Sequence, residues 1–234
     1  MTDAHCHVSC GDSSVRELLV GRDFFGVHPW DAVDVSFLPS LRAQLLANPA
    51  AGVGEIGLDR LKSRDISPRM REVFEAQLAL ALELGRPVVL HGAKCWGQVV
   101  TTVCRHLSHS PTPPLPPSPT PSFLFHGFSR SDGLIPDIVA LGGFISVGPA
   151  VLNDHAVNYR ELVKKIPLDR LLVETDRTSS ASASPHVAMP HDSSASSSIS
   201  IFDVLAKTAD ILNISAAELE RITDENADRF LGVV

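Results

Sequence analysis

The chain opens with Asp3-Ala4-His5-Cys6-His7. In a strand, alternate side chains share a face, so His5 and His7 aim two imidazoles at one point while Cys6 turns away to pack. Converging imidazoles are what a divalent cation needs. One His-x-His is weak evidence, and any single histidine after an apolar run reads as a satisfied core residue. Ionisable side chains recur, however, where later apolar runs end: Glu55 after 51–54, His91 after 88–90, His126 after 123–125 and Asp176 after 171–173. Residues so dispersed become neighbours at the C-terminal rim of a parallel barrel. The ligand set points to hydrolysis, with one carboxylate bridging two ions and a water between them acid enough to attack at neutral pH. It does not suit a structural zinc site, which prefers a closed shell of thiolates and imidazoles.

Basic residues follow these candidate ligands: Arg60, Lys62 and Arg64 after Glu55, Lys94 after His91, Arg130 after His126, and Arg177 directly after Asp176. The formal net charge of the whole chain is -7. A locally positive rim on an acidic protein is a reason to expect an anionic substrate. The same acidity argues against sequence-independent binding along duplex nucleic acid, which needs many lysine and arginine contacts.

The elements that must hold these residues read as parallel α/β. Short apolar runs at 24–27, 51–56, 87–90, 122–125, 144–147 and 171–173, with the opening run, give seven candidate strands alternating with helical patterns. The usual barrel has eight. The expected fold is therefore a distorted TIM-type (β/α) barrel of about seven strands, lacking one βα unit, with residues 1–234 as a single domain. Ser67, Pro68 and Gly85 bracket one helix, whose stripe is Met70, Val73, Phe74, Leu78, Ala81 and Leu82. Ser215 and Glu218 have capping-box spacing at the start of another. Two segments break the pattern. The Pro/Ser-rich insertion 108–122 joins a helix to a strand, and is expected on the face away from the site. The Ser/Ala-rich loop 178–200 follows a strand and is expected beside it.

The runs Asp3 to His7, Gly26-Val27-His28-Pro29-Trp30, Gly54-Glu55-Ile56-Gly57-Leu58-Asp59, His91, His126-Gly127-Phe128-Ser129, Glu174-Thr175-Asp176, and Asn226 with Arg229 resemble, in order, the motifs of the TatD family of metal-dependent deoxyribonucleases. The resemblance implies the amidohydrolase superfamily and a phosphodiesterase acting on DNA ends, with 3′ to 5′ exonuclease action expected. It implies His5, His7 and Asp176 around one ion, His91 and His126 around a second, and Glu55 bridging both; Glu55 and Asp176 are then the catalytic carboxylates. Magnesium, manganese and zinc all suit such sites. His28 is not a ligand in that pattern, and a role on the substrate phosphate stands beside a role in stabilising the turn at Pro29. Arg60, Lys94 and Arg130 are the other candidate substrate contacts. The chain departs from the pattern in having about twenty residues between His7 and His28, and Arg177-Thr178 in place of a small residue and proline.

Two other readings stand beside this one. An amidohydrolase acting on a small ester, amide or phosphate would use the same centre, although many such relatives bridge their metals with a carboxylated lysine where this chain has Glu55. A non-catalytic interaction protein would keep the fold and lose metal. Cys6, Cys10, Cys95 and Cys104 lack disulfide or zinc-finger spacing and read as small buried thiols. Without a leader-like or membrane-spanning run, the expectation is an intracellular, cytoplasmic protein with no membrane contact and no obligate protein partner.

Overall fold

A computed structural model describes residues 1–62, 64–108, 121–178 and 199–233. The segments expected as the Pro/Ser-rich insertion and the Ser/Ala-rich loop fall largely on 109–120 and 179–198, outside the described residues.

All seven apolar runs become strands: β1 (Thr2–Cys6), β3 (Phe24–Phe25), β4 (Gly52–Asp59), β5 (Val88–Ala93), β6 (Phe123–Phe125), β7 (Phe144–Val147) and β8 (Leu171–Val173). An eighth strand, β2 (Arg16–Leu19), lies between the first two runs. What the short N-terminal part lacks is therefore helix rather than strand. β1 returns to β2 through residues 7–15 with no helix, and β3 starts level with the end of β2, where Val20 bridges Phe24.

Every pairing is parallel: β1 with β2, and β3 through β8 in chain order. The ring is completed beyond β8, where Asp176 N donates to the His5 carbonyl at 3.0 Å and His7 N donates to that of Arg177 at 2.8 Å. The result is a distorted TIM-type barrel. The α-helices are α1 (Leu38–Ala47), α2 (Pro68–Leu84), α3 (Trp96–Ser108), α4 (Ile135–Ala140), α5 (Val157–Val163), α6 (Ile201–Leu212) and α7 (Ala216–Leu231), with short 3-10 turns between elements.

The period-two pattern explains how the strands serve two environments. Val88, Leu90, Phe123, Phe125, Ile145, Val147, Leu171 and Val173 belong to the large core shared with the helices. Val89, Leu124, Phe144 and Leu172 cluster instead with Ala4, Phe24 and Phe230. Two residues on from three of these stand His91, His126 and Glu174, so an apolar layer inside the barrel supports an ionisable one. Phe230 closes that layer from α7, with ring centroids 5.8 Å from Phe24 and 6.1 Å from Phe144.

The expected caps are present. Ser67 Oγ accepts from Met70 N at 3.1 Å, Gly85 ends α2 at φ 63°, and Ser215 Oγ accepts from Glu218 N at 3.1 Å. Asn226 and Arg229 do not reach the rim. Buried Asn226 donates to the carbonyls of Leu168 and Leu171 at 2.8 and 2.7 Å, and Arg229 to that of Asp169 at 2.9 Å, which clamps α7 to the entry of β8. No helix among the described residues is long and apolar enough to cross a membrane. All four cysteines are free; Cys6 and Cys95 are buried, as expected, but Cys10 is exposed.

Candidate metal centre

Each strand end delivers one part of the site. His5 comes from β1 and His7 from just beyond it, and Asp3, two residues earlier, fixes their register: its carboxylate accepts from Thr175 N at 2.9 Å and Thr175 Oγ1 at 2.6 Å. β1 is thereby tied to the segment carrying Asp176. His91 lies in β5 and His126 directly follows β6.

Glu55 requires a local irregularity. Val53 pairs with Val88 and Ile56 with Leu90, so β4 spends three residues where β5 spends two, and the extra residue turns Glu55 inward. Gly54 must be glycine there, because a Cβ would stand 2.7 Å from that of Val89. The Glu55 carboxylate lies among five imidazoles, His5 Nε2 being 3.8 Å from Oε2. Oε2 is 2.6 Å from His126 Nε2 and 3.2 Å from His91 Nδ1, and Oε1 is 3.3 Å from His7 Nε2 and 3.8 Å from His28 Nε2. Asp176 Oδ1 closes the other side, 3.5 Å from His7 Nε2 and 3.8 Å from His5 Nε2.

Three overlapping groups of potential ligands result: His5, His126 and Asp176; His5, His7 and Glu55; His28, Glu55 and His91. The six ligands expected from the sequence are thus brought together, with His28 beside them. A metal fits this arrangement on the evidence of His5. Its ring is fully buried, yet neither nitrogen has a hydrogen-bond partner among the described residues. Nε2 stands 3.8 Å from both Glu55 and Asp176, too far for hydrogen bonds but close to the roughly 3–4 Å that separates two ligands of one small cation. An unpaired buried imidazole facing two carboxylates is costly without such a cation.

The charges follow from the same geometry. Burial pushes the Glu55 carboxyl up, but His126, His7 and His91 outweigh it and hold it well below its usual range. Burial opposes a charge on His126, yet Glu55 and Glu174 raise it well above the ordinary imidazole value. Hydrogen bonds to Asp176 and Glu55 lift His7 to about 9, whereas burial, with His126 nearby, drops His5 to about 4. Burial likewise takes His28 to about 4.

Metal-free protein at pH 7 therefore carries a proton on His7 that a cation must displace, because only the neutral ring offers a lone pair. Metal uptake should release protons, and apparent affinity should rise between pH 6 and 9 by about tenfold per unit for each proton displaced. Calorimetric titration in buffers of different ionisation enthalpy measures this, and binding without proton release would contradict the assigned charges.

Several residues without a role in the sequence reading support the site. Asp59 Oδ2 receives His91 Nε2 at 2.8 Å, and the nearby Trp30 side chain favours its charged form. Buried Glu174 accepts from Gly127 N at 2.7 Å and Ser146 Oγ at 2.5 Å, fixing the turn after His126. Gln77 of α2 bonds both backbone groups of Val27, at 2.7 and 3.1 Å, which holds the turn that carries His28. Glu17 of β2 accepts from Ser9 Oγ, Cys10 N and Arg177. Arg177, counted with the basic rim in the sequence, is a strut between β2 and β8 rather than a free cation.

Arg60, Lys94 and Arg130 line one cleft of about 1920 Å³ together with His91, His126 and Asp176. Lys94 and Arg130 adopt φ of 58° and 60°, and neither has an ion-pair partner among the described residues. Left-handed backbone is unusual for long side chains and persists where the surroundings impose it. Arg60 Nε donates to the Arg64 carbonyl at 2.7 Å.

The model of the TatD-related DNases matches residues 21–232. The chain belongs to that family. The uncharacterized metal-dependent hydrolase YabD of Bacillus subtilis is 27% identical over 210 residues, covering 89% of this chain and 76% of that protein. The 3′-5′ ssDNA/RNA exonuclease TatD of Pectobacterium parmentieri is 29% identical over 213 residues, covering 87% and 75%. The crystal structure of YJJV, a TatD homolog from Escherichia coli K12, matches with a TM-score of 0.72 at 26% identity, over 96% of this chain and 79% of that one. With its clustered ligands, this member of the TatD-related family is a metal-dependent hydrolase.

Proposed function

We propose that the chain hydrolyses phosphodiester bonds of DNA and shortens strands from the 3′ end. The observation that carries the reading is the juxtaposition of the Glu55-centred ligand cluster with Lys94 and Arg130, two cations without ion-pair partners among the described residues, held in left-handed backbone on the same cleft. The direction of attack rests on the Pectobacterium relative's description.

In this reading His5, His7 and Asp176 would hold one ion, His91 and His126 a second, and Glu55 would contribute to both. Ions bound there would supply an acidified water and offset the charge that develops on the phosphate. The mixture of imidazole and carboxylate favours manganese or zinc over magnesium. Asp176, the more exposed of the two central carboxylates, takes the proton of the attacking water. Lys94, Arg130 and the terminal nitrogens of Arg60 hold phosphate oxygens, and the volume of the cleft leaves room for more than one nucleotide. Four free cysteines, one of them exposed, support a reducing compartment such as the cytoplasm.

The test is a single-stranded oligonucleotide labelled at either end. With a 5′ label the products should form a ladder of progressively shorter strands, and with a 3′ label the mononucleotide should be released first. Internal fragments from both labels would overturn the exonuclease reading, and intact substrate with a hydrolysed small ester would favour a small-molecule enzyme.

A further inference from the structure

His28 lies in one of the three potential ligand groups, with Glu55 and His91, and its geometry assigns it a different task. A neutral imidazole has one lone pair and one N–H, on opposite nitrogens. Nδ1 of His28 accepts from Trp30 N at 3.1 Å, capping the 3-10 turn Pro29–Asp31. The lone pair is therefore engaged on the backbone, and Nε2, the atom aimed at the ligand cluster, carries the hydrogen. That N–H has no acceptor within hydrogen-bond distance among the described residues, since Glu55 Oε1 is 3.8 Å away.

His91 is set the opposite way. Its Nε2 faces Asp59 Oδ2 at 2.8 Å, and a carboxylate only accepts, so the hydrogen sits on Nε2 and the lone pair of Nδ1 faces Glu55. The two rings stand 4.8 Å apart between centroids, nearly perpendicular. The Trp30 side chain also lies close enough to Asp59 to favour its charged form, and the Trp30 backbone N–H fixes His28, so the two rings are set from neighbouring groups. Asp59 thus holds His91 as a lone-pair donor, and the Trp30 backbone holds His28 as a hydrogen donor.

We infer that His28 is an N–H donor to a phosphate oxygen of the substrate, oriented by the Trp30 backbone, and is not a metal ligand. The inference rests on the phosphodiester reading for its acceptor, but the position of the ring hydrogen does not depend on it.

Two variants and one spectrum test this. Asn is as good a cap as any residue, so His28→Asn keeps the turn and removes the Nε2 donor, whereas His28→Ala removes both. Both variants of the zinc-loaded protein should keep the wild-type metal content per chain. His28→Asn should keep the wild-type melting temperature while kcat on the labelled oligonucleotide falls about 10²-fold, as it should in His28→Ala. Long-range 1H–15N spectra of the wild-type holoenzyme, with His28 identified by its disappearance in His28→Asn, should show a protonated Nε2 and an unprotonated Nδ1. Loss of an ion in His28→Asn, or a hydrogen on Nδ1, would make His28 a ligand and overturn the inference. Wild-type kcat in His28→Asn would reduce it to a turn cap. If wild-type protein cleaved no phosphodiester, the substrate reading would fall while the spectrum still decided between donor and ligand.

Discussion

Glu55→Ala is expected to lower kcat by about 10³-fold or more and to reduce bound metal, in a protein that still folds. The carboxylate is buried and touches His7, His91 and His126 at 3.3 Å or less, so no other side chain reaches both halves of the ligand cluster in the same way. Its removal leaves imidazoles facing one another, with His91 Nδ1 only 3.1 Å from His126 Nε2. They can relax by losing protons, because Glu55, the first of the two carboxylates that raise His126, is gone while only Glu174 remains, and the apolar layer of Val89, Leu124 and Leu172 beneath them is untouched. Glu55→Gln preserves the shape and separates charge from packing. Metal content, melting temperature and kcat measured together decide the matter, and wild-type turnover in either variant would contradict the central place of this carboxylate.

Asp176→Asn should cost about 10²- to 10³-fold in kcat with little loss of stability. Asp176 adopts φ 47°, a backbone conformation that asparagine also tolerates, and its backbone N–H still donates to the His5 carbonyl at 3.0 Å. Only the charge is lost. His7 is raised first by Asp176 and then by Glu55, so the variant should also bring its pKa down from about 9. Histidine titration of the metal-free protein by NMR measures that shift, and an unmoved His7 would show that the two side chains do not interact as described.

Period-two alternation makes much of the site legible in the sequence. It places His5 and His7 on one face, and the ends of the apolar runs mark His91, His126 and Asp176. The inward turn of Glu55 is not written in that alternation: counted from Val53, which faces the helices, it should face them too, and the extra residue in β4 reverses it. β2 escaped notice because Arg16 and Glu17 interrupt its apolar pattern; both earn their place through tertiary partners, Asp228 and Arg177. Arg177 shows the limit of reading charge from position, since adjacency to Asp176 suggested a substrate contact and the fold gives it a buried carboxylate instead. Asp59 stands in a recognisable motif, but its task depends on His91 and Trp30, which meet it only in three dimensions.

The measurement that bears most directly on a metal-dependent phosphodiesterase is hydrolysis of an end-labelled single-stranded oligonucleotide by metal-stripped protein, with magnesium, manganese or zinc added back, beside Asp176→Asn. The structure predicts no cleavage without metal, stepwise shortening when it is restored, with manganese or zinc more effective than magnesium, and loss of that activity in the variant. An oligonucleotide left intact by protein shown to carry its metal, or equal cleavage by Asp176→Asn, would contradict it.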